Sequence, residues 1–258
     1  MSAITGALRV VEHNALVYRR EWPGSIMVSF FTPLFFLASI GLGLGSLVNR
    51  GSGGVSGVSY VDFLAPGLLA ATTMQTAAFE CMYPILGKIM WDRIYDAMLA
   101  TPMAVRDLLA GEVAWMALRL ILVSSIFWVV MAVFGVAHTP ESLLAIPAAT
   151  LNGLAFASPL IAYTTTRKNG DGFAGITRFW IMPMFLFAGA FFPISRLPGL
   201  LQGLAWLTPL AHGVALSRAL VLGNALGGEA VLHITVLAAY TVGGIVVARA
   251  LLVRRLVK

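Results

Sequence analysis

Residues 118–137 read LRLILVSSIFWVVMAVFGVA, a stretch in which Arg119 is the only charged residue. An α-helix needs about 20 consecutive apolar residues to cross the hydrocarbon core of a bilayer, so this stretch predicts a membrane-spanning helix. The composition of the whole chain agrees, because 59% of its 258 residues are hydrophobic, 11% are charged and the mean hydropathy is +0.88. A water-soluble surface needs far more charge, which excludes a soluble globular fold.

Six apolar stretches of this kind occur along the chain. They are 26–48, 63–86, 118–137, 143–164, 173–192 and 231–252. Lysine and arginine are retained on the cytoplasmic side during insertion. Placing both termini there leaves only Arg50, Arg196 and Arg218 outside, of 17 basic residues in total. We therefore expect an all-α integral membrane protein with six transmembrane helices and cytoplasmic N- and C-termini, folded as a single domain over residues 1–258.

The residues that several kinds of chemistry require are missing or scattered. The histidines are His13, His138, His212 and His233, in four different segments. Neither a metal site nor a catalytic cluster is therefore expected. The fragment closest to a phosphate-binding loop, Gly87-Lys88, lacks the preceding glycine and the following hydroxyl residue, so the chain cannot hydrolyse ATP by that route. A lone cysteine, Cys81, forms no disulfide framework. The net charge of +6 is spread between apolar stretches and does not indicate a nucleic-acid partner.

The most polar internal segment is 88–106, between the second and third apolar stretches. Its apolar residues recur at helical spacing from Met90 onwards, whereas Asp92, Arg93 and Asp96 fall on other faces. Such an amphipathic helix can lie on the inner leaflet or offer a docking surface to a cytoplasmic partner. Two acidic residues beside one arginine favour polar docking over attraction to an anionic leaflet.

Glu80 lies deep in the second apolar stretch, where burying a charge costs about 2.5–3.5 kcal/mol unless the group is paired or protonated. Two interpretations stay open: a neutral carboxyl group hydrogen-bonded to another helix or subunit, or a residue in the wall of a transport path. Met74, Gln75 and Phe79 are close in sequence and add a mixed polar and apolar surface. The other charge within a span, Arg119, is expected to extend its guanidinium group to the membrane interface.

The segment 193–222 is apolar but contains Pro193, Pro198 and Pro209. Proline stops helices at defined points. We therefore expect an external helical hairpin of short re-entrant helices between the fifth and sixth spans.

A series of motifs accompanies this order of features along nearly the whole chain. They are YVDFLAPG (60–67), AFE (78–80), YDAMLATP (95–102), GEVAW (111–115), GLAFAS (153–158) and FFPISRLP (191–198). In these residues the chain resembles the membrane (permease) domains of type-2 ABC transporters. Within that family it is most similar to NodJ-like permeases of nodulation-factor export, and less so to daunorubicin-type drug permeases. The connection at 164–172 is more polar than is typical of the family.

The resemblance implies the permease subunit of an ATP-binding cassette exporter in a bacterial cytoplasmic membrane, which is not an enzyme by itself. A separate ATPase subunit would use ATP and Mg²⁺, this chain would bind no cofactor, and two permease copies would pair as a homodimer or heterodimer. Residues 88–106 would be the coupling helix, and 1–25 an interfacial helix at the inner surface. The residues expected at the ATPase are Asp92, Arg93, Tyr95 and Asp96.

The resemblance further implies an amphiphilic cargo, which can be a drug, a glycolipid or a lipid-linked oligosaccharide. The expected path residues are Met74, Gln75, Phe79, Glu80, Phe185 and Phe192. An alternative is an ion-coupled secondary transporter in which Glu80 titrates. A membrane-embedded enzyme acting on lipid-linked substrates is disfavoured by the scattered histidines and the lack of an acidic cluster.

Overall fold

The computed structural model describes residues 3–52, 54, 55, 57–137, 139–223 and 227–256. Within these residues every regular element is a helix, apart from an isolated antiparallel bridge between Val55 and Val58. The expected all-α class is therefore confirmed. His138 lies outside the described residues.

Twelve α-helices are described, together with two π-helical and two 3₁₀ segments. The α-helices are α1 (Ala3–Phe36), α2 (Gly45–Ser52), α3 (Tyr60–Cys81), α4 (Tyr83–Met90), α5 (Ile94–Leu99), α6 (Val105–Val133), α7 (Ala145–Thr165), α8 (Asp171–Ile176), α9 (Met182–Phe187), α10 (Gly199–Leu207), α11 (Pro209–Val221) and α12 (Gly228–Leu256). The π-helical segments are Leu37–Leu44 and Thr177–Ile181, and the 3₁₀ segments are Pro140–Leu144 and Ile194–Arg196.

Four helices in the described chain are long and apolar enough to cross a membrane. They are Thr5–Gly51, Val105–Val133, Pro140–Thr165 and Gly228–Leu256. A fifth results if α10 and α11, which meet at 85°, are counted as one broken span. Four of the six expected stretches thus lie in single long helices, and the count of six spans stays a prediction.

The second expected stretch, 63–86, is divided between α3 and α4. Ser59 caps the start of α3, since its hydroxyl accepts the N–H of Asp62 at 3.2 Å. The helix breaks at Met82 (φ −92°, ψ −90°), two residues before Pro84. Proline has no N–H to donate, and its ring clashes with the carbonyl group four residues earlier, which explains a break at this point.

The polar segment 88–106 differs from the single helix that its periodicity predicts. Helix α4 ends at Met90, Arg93 adopts a left-handed conformation (φ 50°), and α5 is only six residues long. Pro102 keeps the next turn from continuing as a helix, and α6 begins at Val105. The segment 88–106, expected to be a coupling helix, therefore contains the end of α4, the short helix α5 between two turns, and the start of α6.

The long helices pack side by side around α6 and α7. Helix α12 lies along α7, α1 lies along α6, and α11 packs against both α3 and α7. Gly111 permits the close approach of α1, because a Cβ atom there would lie 2.5 Å from the Cβ of Val10. Asn152, fully buried on α7, donates to the carbonyl of Ala70 at 2.8 Å and ties α7 to α3.

Candidate functional site

Seven side chains from four helices form two polar clusters at successive heights along α6, which together we call the polar seam. Its members are Asn14, Tyr18 and Ser25 of α1, Glu80 of α3, Lys88 of α4, and Glu112 and Arg119 of α6. Glu112 and Arg119 are seven residues apart on α6, which is two turns, so both point from one face. The seam therefore contains two ion pairs about 10 Å apart along α6.

The inner ion pair joins Lys88 to Glu112. The ammonium group of Lys88 lies 2.8 and 2.9 Å from the two carboxylate oxygens of Glu112, and it also donates to Oδ1 of Asn14 at 2.9 Å. The amide group of Asn14 donates to Glu112 Oε2 at 3.2 Å. Only 5% of the Glu112 side chain and 17% of the Lys88 side chain are exposed. Three helices are thus held by one buried, mutually satisfied cluster.

Tyr95 connects this cluster to α5. Its side chain is buried, and its phenol is hydrogen-bonded to the carboxylate of Glu112. Burial raises the pKa of Tyr95 well above its ordinary value, and the negative charge of Glu112 raises it further. The neutral phenol is therefore a hydrogen-bond donor over the physiological pH range, and it anchors α5 to the seam.

The remaining residues expected at the ATPase lie on the outside of this anchor. Asp92, Arg93 and Asp96 are exposed, and the neighbouring Trp91 is 65% exposed. Tyr95 differs from them because it faces inwards and has no free surface to offer a partner. The structure thus gives a polar, solvent-facing surface of three residues and an internal positioning residue, Tyr95.

The second ion pair joins Glu80 to Arg119. Nη2 and Nε of Arg119 lie 2.8 and 3.3 Å from Glu80 Oε1, and Nη2 also donates to the hydroxyl of Ser25 at 3.0 Å. The guanidinium carbon is 4.2 Å from the ring centroid of Tyr18, a cation–π distance. The side chain of Arg119 is 8% exposed. The expectation that Arg119 reaches the interface is wrong, because a carboxylate, a hydroxyl group and an aromatic face hold its guanidinium group inside the helix bundle. Its Nη1 atom is buried there with no hydrogen-bond partner among the described residues.

Comparison with known proteins identifies the kind of chain that carries this seam. A model of the ABC-2 type transporter family matches residues 8–222, which include every member of the seam and α5. The chain belongs to this family.

The relatives of this ABC-2 chain extend over almost its full length. Nodulation protein J of Rhizobium leguminosarum bv. viciae is 36% identical over 251 residues, 97% of this chain and 95% of that protein. Nodulation protein J of Rhizobium meliloti is 34% identical over 249 residues, 96% and 93% of the two chains. The inner membrane transport permease YadH of Escherichia coli is 22% identical over 205 residues, 77% and 75% of the two chains. Family and names indicate a membrane transport permease subunit.

The expected path residues of the ABC-2 permease fall into three places. Gln75, Phe79 and Glu80 share one face of α3 that the other helices leave partly open, and Phe79 is 60% exposed there. Met74 is fully buried in the apolar core around α6 and α7, so it supports this face from behind.

The two phenylalanines expected in the path make their ring contacts elsewhere. Phe185 packs edge-on against Phe191 with centroids 5.0 Å apart, and Phe192 packs against Phe187 at 6.5 Å. Both are half-buried. The structure therefore supports one polar face on α3 and a separate aromatic cluster at the end of α9.

Sequence reasoning missed the partners within the seam. Asn14, Lys88 and Glu112 are not among the site residues expected from sequence, and Arg119 is expected there to act by itself. The available signal was the spacing of opposite charges, with Glu80 and Lys88 eight residues apart and Glu112 and Arg119 seven residues apart. Two such pairs on neighbouring spans predict matching ion pairs, because unpaired charges in hydrocarbon are costly.

Proposed function

We propose that this chain is the permease subunit of an ATP-driven exporter, and that a separate ATPase subunit docks on the surface formed by Asp92, Arg93 and Asp96. The observation that carries the proposal is the connection of that exposed surface, through Tyr95, to a buried seam that continues between the spans. A force applied to α5 acts directly on α6, because Tyr95 of α5 is hydrogen-bonded to Glu112 of α6. Lys88 of α4 contacts the same carboxylate. No phosphate-binding loop is present in the sequence, so the energy source is the partner.

The proposed topology has six spans, with both termini in the cytoplasm of a bacterial cell. Helices α3 and α4 together form the second span. The fifth runs from Asp171 to Phe187 through α8, a π-helical segment and α9, about 25 Å at 1.5 Å per residue, and a turn at Gly189 (φ 86°) follows it. Helices α10 and α11 then form the external hairpin. The distribution of basic residues supports this orientation.

The proposed cargo is an amphiphile that leaves between two paired permease copies. The partly open face of Gln75, Phe79 and Glu80 supports this, because it combines an amide, an exposed aromatic ring and a carboxylate on one helix. A drug, a glycolipid and a lipid-linked oligosaccharide all present an apolar portion for Phe79 and a polar portion for its neighbours. The ion pair of Glu80 with Arg119 supports a structurally fixed carboxylate at this position.

The test replaces Asp92, Arg93 and Asp96 together with Ala. We expect normal insertion and oligomer size, loss of the ATPase from the purified complex, and loss of ATP-dependent export into inverted membrane vesicles. The matched control is Lys168→Ala with Asp171→Ala, an exposed cation in the connection between α7 and α8 and the exposed anion that begins α8. This control should keep both activities. Unchanged export by the triple variant would overturn the docking assignment.

A second arm separates the exporter from an ion-coupled carrier. The purified chain alone, in liposomes with an imposed proton gradient, should not move cargo if the energy source is the ATPase. Gradient-driven transport by the isolated chain that is lost in Glu80→Gln would contradict the proposal and establish the carrier.

A further inference from the structure

Two histidines that are far apart in sequence meet between α11 and α12. Nδ1 of His212 lies 2.8 Å from Nδ1 of His233, and the residues are 6% and 8% exposed. Trp206 stacks parallel to His233 at a centroid distance of 5.8 Å and lies edge-on to His212 at 5.5 Å. Two of the four histidines that are scattered in sequence are therefore paired here, outside the polar seam.

The protonation of His212 follows from its second nitrogen. Nε2 lies 2.9 Å from the backbone carbonyl of Trp206, which can only accept, so Nε2 carries the proton. The lone pair of the neutral ring is then on Nδ1 and is directed at His233. A ring N–H held by a backbone carbonyl, with the other nitrogen free to donate electrons, is the arrangement that orients histidine ligands in metal sites.

We infer that His212 and His233 bind a divalent transition-metal ion of the zinc class. Zinc–nitrogen bonds of about 2.0–2.1 Å at a tetrahedral angle place the two nitrogens about 3.3 Å apart. The observed 2.8 Å is that of an N–H···N hydrogen bond, so the two nitrogens need to separate by about 0.5 Å and each ring to turn by about 35°, so that both lone pairs point at the ion. The metal replaces the Nδ1 proton of His233, that ring takes its proton on Nε2, and both imidazoles stay neutral.

The space and the third ligand are adjacent. A cavity of 680 Å³ is lined by both histidines, Trp206, Arg218 and Glu229. Glu229 precedes His233 by four residues on α12 and so lies on the same helix face. Across the part of the chain that the structure describes, no three metal-ligating side chains already lie within binding distance of one another, so the Glu229 carboxylate rotates inwards and water fills the fourth position. Two imidazoles, one carboxylate and water form a common zinc donor set.

Arg218 is the charged group that opposes cation binding in this cavity. Two of its nitrogens are engaged elsewhere, since Nε donates to the carbonyl of Phe63 at 3.2 Å and Nη2 donates to that of Gly189 at 2.8 Å. The charge of Arg218 therefore remains near the metal but is directed towards α3, and the negative charge of Glu229 offsets it. A bound ion would join α11 to α12 through one ligand on α11 and two on α12, independently of any ATPase.

The experiment uses the full chain, purified in detergent through a tag without histidine. Equilibrium dialysis against Zn²⁺ followed by elemental analysis should give one ion per chain, and Co²⁺ should show the intense visible absorption of a four-coordinate site. His212→Gln and His233→Gln should lose the stoichiometric ion, and Glu229→Gln should bind it more weakly. The control His13→Gln, on α1, should bind as the wild type does.

Two results overturn the inference. Wild-type protein that takes up no stoichiometric Zn²⁺ or Co²⁺ shows that the histidines form a hydrogen-bonded pair only, and this measurement needs no variant to fold. Equal uptake by wild type, His212→Gln and His233→Gln, all monodisperse in gel filtration, shows that the ion is held elsewhere. Both results leave the exporter proposal untouched, because its test does not involve this pair.

Discussion

Replacing either partner of the Lys88–Glu112 ion pair should destabilise the permease, and replacing both should do so much less. Glu112 is 5% exposed and Lys88 is 17% exposed, so Glu112→Gln leaves a largely buried cation and Lys88→Met leaves a buried carboxylate. Breaking a buried pair in this way costs about 3–5 kcal/mol. We expect about 3 kcal/mol for each single variant, the lower end of that range, because Lys88 keeps some access to water.

The double variant, Lys88→Met with Glu112→Gln, removes both charges. The amide oxygen that it introduces at position 112 still accepts hydrogen bonds from Asn14 and Tyr95. The double variant should therefore lower the free energy of unfolding by only about 1–2 kcal/mol, so the coupling energy of the cycle should be about 4–5 kcal/mol. Two assays measure this: the free energy of unfolding of the purified subunit in mild detergent, and hydrogen exchange of the amides of residues 91–104. Exchange should accelerate in both single variants and recover in the double variant.

Arg106→Gln is the control on the same helix. Arg106 pairs with Asp107 at 3.4 Å, but its side chain is 65% exposed, and surface pairs contribute between about 0 and 1 kcal/mol. It should leave hydrogen exchange in residues 91–104 unchanged. Additivity of the two single variants to within about 0.5 kcal/mol would refute the reasoning, since it would mean that Lys88 and Glu112 do not act as a pair.

Three further predictions concern single contacts. Gly111→Ala should lower the free energy of unfolding by about 1–3 kcal/mol and increase protease access to α1, because no space exists for the new Cβ. The control Gly175→Ala, which has open space around it, should be neutral or slightly stabilising in the same assay. The free energy of unfolding should fall as pH rises above about 10, because Tyr95 ionises in the unfolded chain but keeps its proton in the folded chain, where its pKa is raised. Denaturant titrations of Tyr95→Phe should show a weaker dependence on pH in this range. Arg218→Met should accelerate hydrogen exchange in residues 188–193 and lower the free energy of unfolding by about 2–3 kcal/mol, because the carbonyl groups that Arg218 binds lose their donor. Unchanged exchange in these residues would show that Arg218 does not hold this segment in place.

The helical class and the long spans could be predicted from sequence because they depend on local composition. Apolar stretches of about 20 residues have no alternative to a helix in hydrocarbon, and four of them lie in single long helices. The breaks were harder to predict. Arg93 adopts a left-handed conformation that is uncommon outside glycine and asparagine, so nothing in its residue type predicts the turn that separates α4 from α5.

The site could be predicted only where one residue carried the information. Glu80 within a span predicts a partner, and the polar character of Asp92 to Asp96 predicts a surface. The identity of the partner depends on which helices pack together and at what height, which is set by the whole bundle. For the same reason, His212 and His233 gave no sign of their contact, since 21 residues and a change of helix separate them.

The order of charges along the seam explains why these helices pack in one register. Helices α3 and α4 carry Glu80 and then Lys88, whereas α6 carries Glu112 and then Arg119. Because consecutive spans run in opposite directions, antiparallel packing brings Glu80 to Arg119 and Lys88 to Glu112. A shift by one pair would place Glu80 against Glu112 and leave two cations unpaired, at about 2.5–3.5 kcal/mol for each charge held in hydrocarbon. Apolar surfaces alone tolerate such sliding. A seam of alternating charge resists it. Under the proposed function, we therefore expect a displacement of α5 to act on Glu112, to move α6 as a unit, and to reach the Arg119–Glu80 pair two turns further into the bundle.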